Sequence, residues 1–217
     1  MIANLIAVFS TVAILNFGQV NTPSNPAHIL ASHEISLEKR YEVKSVSEVF
    51  KDNILLNLAY MRGMVQANNK ITWDEVKESF HYEFKLEPNK TFAFHDDVLA
   101  EYKDKVSLTT NAHFNAQEGF KTDGYLFGDG VCHLASLIYW VAKDAYLDAK
   151  APTNHDFTAI PEIDRQYGVS IYSSPYSKGS NAQQNLYITN NRAADIKFVF
   201  DYNGEKLRVT AAEDNLN

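Results

Sequence analysis

The sequence predicts an α+β fold, helix-rich in its N-terminal half and built of antiparallel sheet in its C-terminal half. Three observations carry that reading. Ser45 with Glu48, and Thr72 with Glu75, repeat the spacing of a helix capping box. Leu134, Leu137, Ile138, Val141, Ala142 and Ala145 recur at helical spacing after the turn Gly128-Asp129-Gly130-Val131-Cys132. Beyond Pro152 the chain changes to short strand-like segments, and Asn203-Gly204 between two of them is a type I′ hairpin signal.

The elements follow in order. Ile2 to Val20 is almost continuously apolar and has the length of a signal-peptide core, so residues 1–20 are read as a signal peptide or membrane anchor. A buried helix is the alternative. Residues 21–44, with two prolines and little periodicity, read as a linker to one domain over 45–217. A helix is expected from Ser45 to about Arg62-Gly63, and a short one from Thr72 through Phe80. Tyr82–Leu86 and Thr91–Phe94 alternate like strands around the turn Pro88-Asn89, and Asp96–Lys105 is read as helical. Thr109–Asp123 is polar without a period. The helix from Val131 is expected to end near Ala149. Val169–Ser173, Leu186–Thr189, Ile196–Tyr202 and Lys206–Thr210 then follow as strands.

Composition narrows the function classes. The 217 residues suffice for one domain with a sizeable core. Lys and Arg number 20 against 27 Asp and Glu, a formal charge of −7 that argues against binding a phosphate backbone, so no nucleic-acid partner is expected. One cysteine rules out an internal disulfide and any multi-cysteine metal centre. The 12 Tyr and 13 Phe suit a β-rich core or a groove for an extended ligand.

That single cysteine, Cys132, sits where a thiol can become reactive. The thiolate is the nucleophile, and a helix N-terminus favours it through unpaired N–H groups and the macrodipole. Gly128 and Gly130 let the backbone adopt conformations closed to other residues, and the N–H groups of the turn are candidates for an oxyanion site. His155 is the candidate base, with Asp156 or Asp164 to orient it. His133 is a poorer partner, because neighbouring helical residues point about 100° apart. Two other readings stand beside this one. A lone cysteine on an apolar helix is often a small buried hydrophobe. Cys132, His133 and His155 are also three residues of zinc-ligand type. The acyl-transfer reading itself needs no metal or cofactor.

At Gly128-Asp129-Gly130-Val131-Cys132-His133-Leu134-Ala135-Ser136 the chain resembles the VanW-like domain family, named after an accessory protein of vancomycin-resistance clusters. That family carries Gly-Gly-Gly-Val-Cys-Gln-x-Ser-Ser, then a helix and a His-Ser pair, and His155 falls at the spacing of the family histidine. Leu86–Phe94, Gly124-Tyr125 and Asn185–Asn191 resemble flanking family segments, so the likeness spans roughly Asn53 to Val209 with an insertion around Met64–Glu83. Asp129 replaces a glycine, His133 a glutamine, Ala135 a serine, and Asp156 the serine after the histidine. Asp129 places negative charge beside the thiol, which opposes ionisation.

The resemblance implies a bacterial, extracytoplasmic protein of the cell wall, secreted or membrane-anchored. Some members look like cysteine L,D-transpeptidases, transferases that join peptidoglycan stem peptides through a thioester. Cys132 would then be the nucleophile and His155 the proton shuttle. Gly130, Val131, His133 and Asp156 would serve the oxyanion or orient the imidazole, and Gly128, Ser136 and Tyr139 would meet the substrate. The partners implied are peptidoglycan or its stem peptides, and the membrane through the apolar N-terminus. The non-catalytic alternative is a wall-binding or scaffold module with a buried cysteine.

Overall fold

The structure is a computed structural model that describes residues 28–124 and 127–214. The signal peptide or anchor expected over residues 1–20 lies outside the described residues, as does Tyr125. Among those described, no helix is long and apolar enough to cross a membrane.

The chain is α+β, with two four-stranded sheets and four helices among the described residues. In chain order these are β1 (His28–Ser36), α1 (Lys44–Met61), α2 (Trp73–Val76), β2 (Phe80–Leu86), β3 (Thr91–Ala93) and β4 (Val106–Leu108). Then come α3 (Val131–Asp144), β5 (Asp148–Lys150), α4 (Lys178–Gln183), β6 (Tyr187–Thr189), β7 (Ile196–Tyr202) and β8 (Lys206–Glu213). One sheet runs β1-β8-β7-β2, antiparallel throughout; the other runs β4-β3-β6-β5, with β3 and β4 parallel.

The N-terminal half is therefore not the helix-rich half that local pattern predicts, since four strands lie in it. Residues 28–36, inside the expected linker, are an edge strand paired with β8 from Ser36 opposite Lys206 to His28 opposite Glu213. Strand pairing across 170 positions or more leaves no local signature. Only Ile35 of β1 is fully buried, so β1 lacks the clean alternation that marks a half-buried strand.

Neither capping box forms. α1 begins at Lys44, and Ser47 is the polar residue at work there: its Oγ accepts the Arg40 N–H at 2.9 Å and donates to the Glu38 carbonyl at 3.2 Å. α2 ends at Val76, and Phe80 already belongs to β2, where it faces Tyr202. Asp96–Lys105 holds only a 3₁₀ turn at Ala100–Tyr102. α3 stops at Asp144, because Tyr146 takes a positive φ of 57° and β5 follows to pair with β6. At the last hairpin Gly204 has φ 100° but Asn203 does not enter positive φ, so the turn is not type I′. Instead the Asn203 carbonyl side chain accepts the N–H groups of Glu205 and Lys206 at 3.0 and 2.8 Å.

The two sheets meet through stacked rings. Phe84 on β2 lies 5.2 Å from Phe92 on β3 and 5.2 Å from Phe198 on β7, all in the buried core. α3 buries Leu134, Leu137, Ile138 and Val141 completely. β1 is fastened to it by His33, which stacks on Trp140 at 3.6 Å and reaches Asp144 Oδ2 with Nε2 at 2.6 Å. This packing fixes the start of α3, and with it the site.

Candidate functional site

The glycine-rich turn is locked from two sides. Gly130 caps α3 with φ 101°, and a Cβ there would lie 2.6 Å from the Phe50 carbonyl oxygen. Gly128 has φ 87°, and a Cβ on it would meet Phe114 Cβ at 2.7 Å. Both glycines are demanded by conformation and by close backbone approach. From α1, the buried Asn53 staples the turn: its amide donates to the carbonyls of Asp129 (2.9 Å) and Lys121 (3.0 Å) and accepts the Lys121 N–H at 2.8 Å. Sequence inspection passed over Asn53, since a helical asparagine carries no sign of its distant partners.

A cavity of about 1240 Å³ opens over this turn, and Gly128, Gly130, Val131, Cys132, His133 and His155 all line it. The structure thus brings together the cysteine, both nearby histidines and the glycines. It does not bring in the others. Ser136 is fully buried, with its Oγ accepting the Val169 N–H at 2.9 Å, so its hydroxyl holds a wall rather than a substrate. Tyr139 packs against Tyr167 at 6.5 Å, away from the cavity lining. Asp156 is exposed and the His155 Nδ1 has no hydrogen-bond partner, so neither Asp156 nor Asp164 orients that imidazole.

The segment Val169–Ser173, expected as a strand, joins no sheet. Its N–H groups go to the site instead: Val169 to Ser136, Ser170 to the Thr153 carbonyl at 3.0 Å, and Tyr172 to the Gln184 carbonyl at 3.1 Å. Ile171 is the residue that meets the thiol. Its N–H donates to Cys132 Sγ at 3.4 Å, and the S–H points back at its carbonyl oxygen at 3.7 Å.

Electrostatics oppose the expected activation. Burial pushes the Cys132 thiol up to about 11, and the Asp129 charge adds to the rise; the Ile171 N–H pulls the other way without prevailing. Asp129 is itself raised to about 6, chiefly by burial. Burial lowers His155, and it brings His133 down to about 3 with help from the nearby Arg40 cation and from His155. At neutral pH the free protein therefore holds a protonated thiol and two neutral imidazoles. The helix terminus is present, but desolvation outweighs it.

Two further expectations change. The N–H of Val131 is taken by the Gly128 carbonyl at 3.1 Å and that of His133 by the Gly130 carbonyl at 3.0 Å, so neither is free for an oxyanion. Only the Cys132 N–H leans toward its own sulfur. The zinc arrangement is not formed either. Among the described residues one group of three metal-type ligand atoms converges within 4.8 Å, and it is His95, Asp96 and Asp97 rather than Cys132, His133 and His155. His95 already engages both ring nitrogens, Nε2 with the Gln184 carbonyl at 3.1 Å and Nδ1 with the Asn185 amide at 3.3 Å.

Comparison with models of known protein families, with curated proteins and with solved structures finds no match to this chain. The functional reading therefore rests on the site. The residue that sequence reasoning missed there is Arg40, whose side chain has no exposed surface and which lies on the cavity with His133 and His155. Its Nη1 donates to the Pro161 carbonyl at 3.2 Å and its Nη2 lies 3.2 Å from Glu162 Oε1. Glu162 Oε2 in turn accepts the Ser36 N–H at 2.8 Å. Arg40 thereby ties the loop that carries His155 to the start of the domain.

Proposed function

We propose that this protein is a VanW-like cysteine acyltransferase of the bacterial cell wall, acting on peptidoglycan stem peptides in the manner of an L,D-transpeptidase. The observation that supports it best is that Cys132 and His155, on separate elements, share one cavity at a helix N-terminus. At about 1240 Å³ the cavity is large enough for a peptide. In this reading residues 1–20 export the protein or anchor it to the membrane, so that it works outside the cytoplasm.

The chemistry follows from the groups present. His155 takes the thiol proton as Cys132 Sγ attacks a stem-peptide carbonyl, and the Cys132 N–H faces the developing oxyanion. The imidazolium returns the proton to the departing amine, leaving a thioester that an acceptor amine resolves with release of the thiol. Substrate must trigger the first step, since the free site holds the proton on sulfur; catalytic hydrogen bonds often tighten only in the complex. Incubation of the protein with a tetrapeptide stem, followed by intact mass measurement, should show an acyl adduct on Cys132. His155→Ala should abolish it. Absence of any adduct with the wild type would sink the reading.

One observation favours a second reading, a non-catalytic wall-binding module. The thiol is raised to about 11 and is held through both backbone groups of Ile171. In that case Cys132→Ser binds isolated sacculi as well as the wild type does.

A further inference from the structure

Among the described residues, nine buried side-chain polar atoms lack a hydrogen-bond partner, and four of them belong to residues lining this one cavity: Arg40 Nε and Nη2, His133 Nδ1 and His155 Nδ1. An unsatisfied buried polar atom costs on the order of 1–3 kcal/mol, so such atoms gather where something else completes them. Arg40 Nη1 is spent on Pro161, which leaves the Nε/Nη2 edge of the guanidinium. That edge presents two parallel N–H groups, the fork that matches a carboxylate. Glu162 Oε1 lies 3.2 Å from Nη2 but makes no hydrogen bond to it, so it balances charge without filling the fork.

We propose that Arg40, with His133 beside it, forms a carboxylate subsite of the cavity, so that the peptide bound here carries a free carboxylate that the guanidinium fork holds while the peptide lies against Cys132. The proposal rests on the acyl-transfer reading for the identity of the peptide. The charged group beside the fork is Glu162, which is negative and sets the threshold an incoming carboxylate must beat. The Arg40 side chain has no exposed surface, whereas that of Glu162 is 44 % exposed. Entry therefore requires the Pro161-Glu162 segment to shift, with Glu162 turning out to solvent. Satisfying the fork offsets that displacement.

The test is binding by calorimetry to the full chain carrying Cys132→Ser, which cannot turn over. The probes are a synthetic tetrapeptide stem, the same stem with its carboxylates amidated, and acetate. The free stem should bind at least about 10-fold tighter than the amidated one. Arg40→Gln should erase that preference, so that free and amidated stems bind alike, and Arg40→Lys should keep part of it. Because Arg40→Gln also cuts the tie to Pro161 and could unfold, Glu162→Gln serves as the second variant. Freed of its competing anion, the fork should bind the free stem several-fold tighter. Equal affinity for free and amidated stems, no binding of either, or a Glu162→Gln variant no tighter than its parent would each overturn the subsite. Acetate displacing the stem at equal concentration would overturn the peptide assignment. An acyl adduct on wild-type Cys132 together with equal affinities would overturn the subsite alone and leave the acyl-transfer reading standing.

Discussion

Cys132 and Ile171 are joined twice: the Ile171 N–H donates to the sulfur at 3.4 Å, and the S–H reaches the Ile171 carbonyl at 3.7 Å. The second contact exists only for the protonated thiol, whereas the first favours the thiolate, so the two backbone groups pull the sulfur in opposite directions. Burial, aided by the Asp129 charge and opposed by the Ile171 N–H, is what keeps a cysteine at a helix N-terminus, an electrostatically favourable place, a thiol with its value raised to about 11.

Alkylation by iodoacetamide reads this directly. In the free protein the Cys132 rate at pH 7 should fall roughly 300-fold below that of free cysteine, whose ordinary value lies near 8.5, and should climb until about pH 11. Asp129→Asn keeps an oxygen for the Asp123 N–H and removes the charge that raises the thiol. Its profile should move to lower pH. A superimposable profile would show that the Asp129 charge is not felt at the sulfur.

Gly130 cannot be replaced without moving α1 or α3. Alanine there combines a φ of 101° with a Cβ 2.6 Å from the Phe50 carbonyl, a backbone atom that cannot swing away. Gly130→Ala should lose more than about 2 kcal/mol in denaturant unfolding. Gly204→Ala has a similar φ but no heavy atom nearer than 3.7 Å, and should lose less. Equal losses would mean that strain alone, without the clash, sets the cost.

How much of this was legible in the sequence depends on the range of the interactions. α3 and the β7–β8 hairpin rest on local periodicity, and both start where the pattern put them, although α3 stops at Asp144 short of Ala149 and β8 runs on to Glu213. β1 did not, because its partner lies at the other end of the chain. The site divides the same way. Cys132, Gly128 and Gly130 are set by one turn, and His155 by its distance from it. Ser136 fits the apolar helical face as well as the site, and only the fold shows its hydroxyl committed to Val169. Arg40 lies in a stretch that reads as linker, and Asn53 inside a helix; their roles come from partners more than 60 positions away.

His113 gives stability a pH dependence of known sign. Its Nδ1 meets Glu118 Oε1 at 2.8 Å and its Nε2 meets Asp96 Oδ1 at 3.1 Å. The Glu118 bond, opposed by burial and aided by Asp96, raises the imidazole to about 9 from an ordinary 6.5. A folded value above the unfolded one means the stabilisation is complete below about pH 6.5 and is lost as pH rises through about 9. His133 acts on the other side, its loss setting in as pH falls below 6.5 toward about 3. Melting temperatures across pH 6 to 9 should therefore decline for the wild type. His113→Asn should flatten that decline, and an unchanged slope would remove His113 as its cause.

Asn53 and Asn57 stand one turn apart on α1, both with no exposed surface, yet they should respond oppositely to leucine. Asn53 makes three hydrogen bonds to the backbone of Lys121 and Asp129. Leucine would strand those three groups, a loss of roughly 2–4 kcal/mol from buried polar atoms left without partners. The freed turn should also let Cys132 alkylate faster. Asn57 has neither its amide nitrogen nor its oxygen paired. Leucine of similar volume there removes an unmet desolvation cost, so Asn57→Leu should unfold at the same denaturant concentration as the wild type or higher. A large loss at Asn57 would mean that its amide is satisfied by ordered water, and that α1 holds the turn through two asparagines rather than one.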